Sequence, residues 1–400
     1  MCEVAALLSI EEAQALILER AQPLETEAVE LGDAAGRVAA EPAHAGIDLP
    51  PFHSSAMDGF AVRSADTPGR LPVVARIPAG RPAERELASG EAMGIATGGS
   101  VPVGADAVIA LEYVVDHDNE IEIVDAVRAG ANVRPRGGDV RRGDVVVAQG
   151  ERLGPARLGA LAASGVADIL CSRRPRAAVL ATGTELRRPG GELAPGEIYE
   201  ANTVLLSAQL GSAGAVVHVL DAVSDDEGAH HEALAAGLEA DVLVTTGGVS
   251  VGPHDLVRSV GAELGVAEVF WGVSVKPGKP LWFGVKGRTL VFGLPGNPVS
   301  TLVCFELFVR PAVLALQGAS DPLPRFDPGR LARAVRANPA RTELVRARSA
   351  IVGGAVELDV LTGQESHMIA RSAGADVLVL IPAGAGELEA GTAVSYLRLA

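Results

Sequence analysis

Cysteine and aromatic residues are scarce in this sequence. Three cysteines occur in 400 residues (Cys2, Cys171 and Cys304), and they are far apart. Such scattered cysteines form neither a disulfide framework nor a metal-binding motif, and the eight histidines show no metal-ligand spacing either. Aromatic residues make up 3% of the chain, whereas 48% of all residues are hydrophobic. The cores must therefore be built mainly from Ala, Val and Leu.

The sequence also lacks net positive charge and membrane signals. Its formal net charge is −16 at pH 7, and binding nucleic acid needs a basic face that releases counterions, so we expect no nucleic-acid partner. No uninterrupted apolar run is long enough to cross a bilayer, and the start Met1-Cys2-Glu3 has no signal-peptide character. These absences predict a cytoplasmic protein without membrane association.

Lysine is rare as well. Of 34 basic residues, three are lysines, and two of these lie in the pentapeptide Lys276-Pro277-Gly278-Lys279-Pro280. In a chain that otherwise uses arginine, a lysine pair indicates a site that needs compact ammonium charges. The alternative interpretation is chance retention on a surface turn.

The order of elements predicts several domains, as expected for 400 residues. Residues 52–130 contain short β-rich runs, such as 107–115, between Gly and Pro turns, which predicts a small β domain. From Pro175 onward, strands alternate with helices, which predicts a doubly wound, mostly parallel sheet. After a proline-rich linker at 322–329, the remaining residues predict a small β barrel or sandwich.

Helix-start signals are clear at three places. Ser9 with Glu12 forms a capping box at the start of a helix over 9–20, and Ser224 with Glu227 predicts another. Asn297 is the predicted cap of a long helix that begins at Pro298 and runs to residue 316.

Three loops with glycine and small polar residues follow strands of the predicted sheet. Ligands of open parallel sheets bind beyond the carboxyl ends of the strands, and helix N-termini favour phosphates and oxyanions. A single glycine loop is equally consistent with a tight turn, and none matches the P-loop or dinucleotide fingerprint. Three loops together, with the lysine pair near them, predict an anion site. The loops cover residues 182–185, 245–250 and 293–298.

Several acids follow these strands. Glu185 is a candidate functional acid, although a buried structural acid is the alternative. Asp255 opens a helix; it either stabilises the first turn or helps to hold Mg²⁺. Asp225 and Asp226 have the same alternatives. Asp58 is by itself only a turn former.

Taken in order, these motifs resemble the molybdopterin molybdenumtransferase family, which includes bacterial MoeA and the gephyrin E domain. The resemblance runs over essentially the whole chain. It rests on residues 50–52, 57–61, 97–98, 104–108, 132–134 with 139, 182–186, 196–199, 247–252, 276–280 and 293–300.

The resemblance implies four domains in an α/β plus β chain. A discontinuous, elongated helical linker domain lies near 1–45 and 140–175, and a β domain is inserted at 46–139. An α/β pterin-nucleotide domain, similar to adenylyltransferase relatives, covers 176–318, and a C-terminal β barrel covers 325–400. It also implies a homodimer whose cleft lies between the sheet and barrel of one subunit and the inserted domain of the other.

The implied reaction takes adenylylated molybdopterin and molybdate and yields molybdenum cofactor and AMP, with Mg²⁺ assisting. Transient partners would be molybdopterin adenylyltransferase and apo-molybdoenzymes. The implied catalytic residues are Asp58, Glu185, Asp255, Lys276 and Lys279, with Asp255 and Glu185 as metal ligands. The implied substrate-binding residues are Thr97, Arg134, Asp139, Asp225, Gly247, Gly248, Ser250, Pro280, Pro295, Gly296, Asn297, Pro298, Ser300, Arg346 and Ser366.

Three places depart from the family pattern. His53-Ser54 replaces an acid and Asn, Gly138 replaces Glu, and Gly272 replaces a lysine, which removes one positive charge near the cleft. Two alternative functions stay open. One is a molybdopterin adenylyltransferase, because the 176–318 domain resembles the fold of that activity; the other is a non-catalytic pterin-binding or scaffold paralogue, which these departures keep open.

Overall fold

The computed structural model describes residues 7–78, 80–224, 226–248 and 256–399. The described residues contain seven α-helices, and the last two belong to one long segment that begins at Pro298. A π-helical stretch, Phe305–Val309, joins the last two helices into that segment. The α-helices are Ile10–Arg20, Pro155–Ala163, Asn202–Ser212, Glu227–Gly237, Leu256–Glu263, Pro298–Cys304 and Arg310–Leu316.

A six-stranded sheet forms the middle of the chain. Four adjacent strands are parallel, in the order Val216–Val219, Arg176–Ala181, Val242–Thr246 and Thr289–Leu294. The antiparallel strands Trp282–Lys286 and Ala267–Trp271 complete it. This is the mostly parallel sheet that the alternation of strands and helices predicts.

Both faces of this sheet are covered. Along one strand, Ala177 and Val179 belong to one buried cluster, while Ala178 and Leu180 belong to another on the opposite face. Side chains alternate between the faces of a strand, so a sheet covered on both sides needs such continuous apolar strands. The helix Ile10–Arg20, capped by Ser9 and Glu12 as predicted, packs into the first cluster.

The long segment Pro298–Leu316 is the central core helix of this region. By length and composition it is apolar enough to cross a membrane, which the sequence prediction did not anticipate, but 83% of its most apolar window is buried inside the protein. Its Glu306 carboxylate accepts a hydrogen bond from Arg310 Nε at 2.6 Å. The apolar surface of this helix is therefore buried against the sheet and the neighbouring helices.

A second six-stranded sheet, curled and largely antiparallel, occupies residues 59–123. Ser54–Ser55 and Val133–Arg134 form a separate two-stranded antiparallel sheet in the same region of the chain. The predicted β-rich run over 107–115 contains two strands, which a 3₁₀ turn at Leu111–Tyr113 separates. The strands in order are Ala107–Ala110, Gly59–Val62, Ala92–Ile95, Gly69–Ile77, Glu120–Ile123 and Val114–Asp116.

The C-terminal region is a closed five-stranded barrel, since the strand Thr342–Val352 pairs with both the second and the last strand of the series. The short strand Val275–Lys276 of the lysine segment adds to it in parallel. The proline-rich segment predicted as a linker at 322–329 overlaps the barrel, because a barrel strand begins at Asp327. The barrel order is Thr342–Val352, Ala355–Val360, Asp327–Leu331, Ala393–Arg398 and Val377–Ile381.

Two distant parts of the chain form a third, smaller unit. The strand Thr26–Glu30 pairs with Asp168–Ser172, and Ala43–His44 pairs with Val145–Val147. One buried cluster unites both parts, including Val29 and Ile169. Packing between these two segments, which are far apart in the sequence, therefore holds the unit together.

One predicted helix cap is wrong. The helix Glu227–Gly237 is capped by Asp226, whose carboxylate accepts a hydrogen bond from the Ala229 amide at 2.8 Å. Ser224 lies two residues before this cap, and its carbonyl accepts a bond from the Asp226 amide. Ser and Asp are both favourable N-cap residues, and the path of the chain selects Asp226.

Asp241 links the beginnings of two central strands. Its carboxylate accepts two hydrogen bonds from Arg173, at 2.7 and 2.8 Å, and one from the Arg176 amide at 2.7 Å. Burial raises the pKa of Asp241, but these bonds outweigh burial and hold the pKa below its ordinary value.

We expect Asp241→Asn to destabilise the protein at pH 7 by about 2 kcal/mol, because it removes a charge-assisted bidentate pair. A lowered folded-state pKa stabilises the protein fully above the unfolded-state pKa, and this contribution is lost as pH falls through the folded-state pKa. The difference in melting temperature between wild type and variant should therefore shrink in acid. A difference that is constant from pH 7 to pH 3 would contradict this assignment.

Candidate active site

The three glycine-containing loops meet at one edge of the central sheet. The Thr182 amide donates to the Thr246 carbonyl at 3.0 Å, and the Gly247 amide donates to the Leu294 carbonyl at 3.1 Å. These bonds continue the parallel register one residue beyond the strands. The predicted meeting of the loops is therefore confirmed.

Glycine is required in the middle loop. Gly247 has φ +91°, and a Cβ built there would lie 2.5 Å from the Thr182 carbonyl oxygen. At Gly248, φ is +61°, and a Cβ would lie 3.1 Å from Thr182 Oγ1. The distance excludes a side chain at Gly247, and at Gly248 the left-handed backbone favours glycine in a tight contact.

Asn202, which the sequence analysis did not single out, joins two of these loops. Its side chain is 8% exposed, and its Nδ2 donates to Thr246 Oγ1 and to the Gly296 carbonyl, each at 2.8 Å. The Thr246 hydroxyl in turn donates to the Pro295 carbonyl at 3.2 Å. A polar residue at the first position of an apolar helix was the available signal, although helix starts favour Asn for local reasons as well.

The lysine pentapeptide lies against the long helix. A Cβ built on Gly278, where φ is +121°, would lie 2.6 Å from the Cys304 sulfur, so only glycine fits this packing. Burial raises the pKa of the Cys304 thiol to about 12, which keeps it protonated and removes it as a nucleophile. Pro280 then leads to the strand Trp282–Lys286.

The two lysines differ in environment. Lys276 Nζ lies 2.7 Å from Glu343 Oε1 of the barrel. Lys279 is exposed, and its backbone carbonyl accepts a bond from the Val273 amide at 3.0 Å. The loop therefore presents one cation held by a carboxylate and a second one towards solvent.

The structure explains why glycine stands at position 272, where some members of the family have a lysine. Its φ is +92°, and a Cβ there would lie 2.7 Å from Leu7 Cδ2. A lysine would need a strained backbone, and the Leu7 side chain would have to move.

The beginning of the long helix meets the barrel. Asn297 Nδ2 donates to Ser366 Oγ at 2.9 Å, and the Val299 amide donates to the Ser366 carbonyl at 3.1 Å. Asn297 is the N-cap residue of this helix, as predicted, but its side chain makes no capping hydrogen bond and binds the barrel loop instead. Pro298 and the buried Ser300 follow in the first turn.

Arg346 holds the barrel loop that carries Ser366. It is 1% exposed, and its Nη atoms donate to the carbonyls of Met368 and Gly363, both at 2.6 Å. Burial lowers the pKa of its guanidinium, yet arginine stays charged at neutral pH. The expected ligand contact of Arg346 stays a prediction.

A second group of predicted residues lies in the curled-sheet region. The Thr97 amide donates to Asp58 Oδ1 at 2.7 Å, and both residues are exposed. Arg134 and Asp139 line a nearby cavity of about 440 Å³. The cavity is completed by Leu49, Pro50, Pro135 and Gly138. These residues make their hydrogen bonds within their own region of the chain.

The acids expected to hold a metal are only partly described. Glu185 is exposed, and its carboxylate lies against Gly183, where a Cβ would be 2.6 Å from Oε2. Asp225, Ser250 and Asp255 lie outside the described residues. Within residues 7–78, 80–224, 226–248 and 256–399, no group of three or more His, Cys, Asp or Glu is arranged to hold a metal ion.

Comparison with known proteins covers nearly the whole chain. Residues 8–165 match the family described as MoeA N-terminal region (domain I and II). Residues 178–315 match a probable molybdopterin binding domain, and residues 328–399 match the MoeA C-terminal region (domain IV).

Individual relatives agree with these matches. The chain is 39% identical over 317 residues to a molybdopterin molybdenumtransferase of Haemophilus influenzae, with 78% of each chain covered. It is 35% identical to molybdopterin molybdenumtransferase 2 of Mycobacterium tuberculosis, over 96% of this chain and 98% of the relative. The fold resembles a crystal structure of a MoeA protein from Pyrococcus horikoshii, with TM-score 0.85, 29% identity and coverage of 98% and 100%.

These matches confirm the expected multidomain fold and the expected class of enzyme. The chain belongs to the MoeA family of molybdopterin molybdenumtransferases.

Proposed function

We propose that this enzyme transfers molybdate to the dithiolene of adenylylated molybdopterin, releasing AMP and molybdenum cofactor. The observation that carries the proposal is the position of the Lys276–Pro280 loop, which packs through Gly278 on Cys304 of the helix that begins at Pro298, after the third glycine-containing strand end. Compact cations near a helix N-terminus and a sheet edge with glycine-containing loops suit a tetrahedral oxyanion and a phosphate.

The described residues support distinct roles. Lys279 would bind the oxyanion from the solvent side, and Lys276 from the side of the barrel. Gly247, Gly248 and Gly296 would let the substrate approach the backbone. Ser300, Ser366 and Asn297 would offer hydroxyl and amide groups at the helix start. Pro280 and Pro295 fix the ends of their loops.

Mg²⁺ is part of this proposal. Magnesium in nucleotide sites is commonly held by one or two carboxylates together with substrate phosphates, and the exposed Glu185 at a strand end fits that requirement, with Asp255 as the second acid. When bound, the ion would neutralise charge on the phosphoanhydride. Asp225 would contact the substrate nearby, and no protein nucleophile is needed.

Asp58, Thr97, Arg134 and Asp139 fit a composite cleft. We propose that they face the sheet-edge loops of a partner subunit, so that a homodimer contains two clefts, each built from both chains. The four-domain division inferred from the family, with boundaries near residues 45, 139, 175 and 325, belongs to this proposal. So do the cytoplasmic location and the transient contacts with molybdopterin adenylyltransferase and apo-molybdoenzymes.

We expect Lys279→Ala to reduce AMP release from adenylylated molybdopterin by roughly tenfold to a hundredfold at limiting molybdate, because a charge-assisted contact is lost. The matched control is Lys286→Ala, since Lys286 is exposed at the far end of the strand Trp282–Lys286. The assay follows AMP and cofactor transfer to an apo-molybdoenzyme. A wild type that binds the pterin without releasing AMP would refute insertion, and activation of apo-pterin by MgATP would indicate an adenylyltransferase.

The composite cleft predicts complementation between two inactive variants. When Asp58→Ala and Lys279→Ala chains are mixed and re-equilibrated, half of the dimers combine both, and each of these has one intact cleft. Activity should recover to about a quarter of the wild-type value. No recovery, despite proven subunit exchange, would mean that each cleft is built within one chain.

Asn202→Asp should raise the KM for molybdate by about tenfold, because a carboxylate oxygen replaces the amide donor and faces the Gly296 carbonyl. Asn119→Asp, on an exposed turn of the curled sheet, adds the same charge and should leave KM unchanged. Equal effects of both variants would show that net charge, and not the Asn202 bridge, matters.

A further inference from the structure

The ion pair between Lys276 and Glu343 connects two regions of the protein. Lys276 follows the central sheet's edge strand, whereas Glu343 lies on the first long strand of the barrel. The two residues are register partners, because Val275–Lys276 pairs in parallel with Thr342 and Glu343. Their side chains meet at 2.7 Å on the same face.

The two partners differ in burial. The Lys276 side chain is 49% exposed, whereas that of Glu343 is 12% exposed. The carboxylate is thus the fixed partner, and the ammonium extends from it towards solvent. An additional barrel contact supports the segment, since Arg341 Nη1 donates to the Val275 carbonyl at 3.4 Å.

A lysine ammonium has three donors. When one N–H of Lys276 donates to Glu343, two N–H donors remain for an oxyanion. A free lysine loses considerable rotamer freedom when it binds, and a side chain that is already held loses less. The carboxylate also offsets one of the two positive charges of the loop. The affinity for the oxyanion must therefore come from the positions of the ammonium groups and not from their charge alone.

We infer that Glu343 is a positioning residue of the oxyanion site, acting through Lys276 and coupling that site to the placement of the barrel. This inference rests on the proposed function for the identity of the anion. The Lys276–Glu343 contact itself does not depend on it.

A double-mutant cycle with molybdate tests the inference. Glu343→Gln should raise the KM for molybdate by about fivefold to tenfold, with kcat at saturating molybdate within about twofold. In a Lys276→Ala background, Glu343→Gln should add nothing, because its effect passes through the lysine. Asp327→Asn is the matched control, since Asp327 pairs with Arg398 at 3.3 Å elsewhere on the barrel.

The three lysines of the chain provide a readout that needs no enzymatic activity. With ¹³C-lysine incorporated during expression, Lys276, Lys279 and Lys286 keep their ammonium groups and give three sets of Hε–Cε NMR signals, each assigned by a Lys→Arg variant. Glu343→Gln should move the Lys276 signal and leave the Lys286 signal in place. Adding molybdate to the wild type should move the Lys276 and Lys279 signals.

The outcomes separate this inference from the proposed function. A Lys276 signal that is unchanged in Glu343→Gln, or additive effects in the cycle, would overturn the positioning role. If Glu343→Gln moves the Lys276 signal but the wild type neither releases AMP nor responds to molybdate, the proposed function fails while the lysine–glutamate coupling stands. Glu343→Asp, which keeps the charge, should restore most of the wild-type KM if the protein folds normally.

Discussion

Parallel pairing of three central strands brings three loops to the same edge of one sheet. Arg176–Ala181, Val242–Thr246 and Thr289–Leu294 run side by side, and parallel strands necessarily end together. The bonds from Thr182 and Gly247 extend this register into the loops. Every other part of the site is arranged around that edge: the long helix starts there, and Asn202 bridges the second and third loops.

A second arrangement attaches the barrel to this edge. The lysine segment contributes a strand to the barrel, and the barrel contributes Ser366 to the start of the long helix. The barrel has a hydrophobic cluster of its own, and its Leu344, Leu378 and Leu397 also pack into the cluster of the sheet region. Several connections resist rotation better than one, which suits a cleft that must hold two substrates in fixed relation.

Arginine and lysine have different roles in this chain. The chain carries −16 overall, although its expected substrates are anions, so cations must be placed locally. Among the described residues, arginines make nearly all ion pairs, as Arg173 does with Asp241 and Arg310 with Glu306. Planar guanidinium groups suit such bidentate structural pairs, whereas the ammonium groups of Lys276 and Lys279 suit a compact oxyanion.

The sequence by itself determined the local elements, the fold class and the sheet edge. Periodicity, the Ser9 capping box and the loop glycines are local signals, and local signals depend on residues near one another in the chain. Only the tertiary structure decided which cap side chain is used, since Asp226 replaces Ser224 and Ser366 recruits Asn297. It also decided that Asn202 bridges two loops and that Glu343 holds Lys276. These contacts join residues 44 to 94 positions apart or on different domains, and no local pattern encodes a partner at that distance.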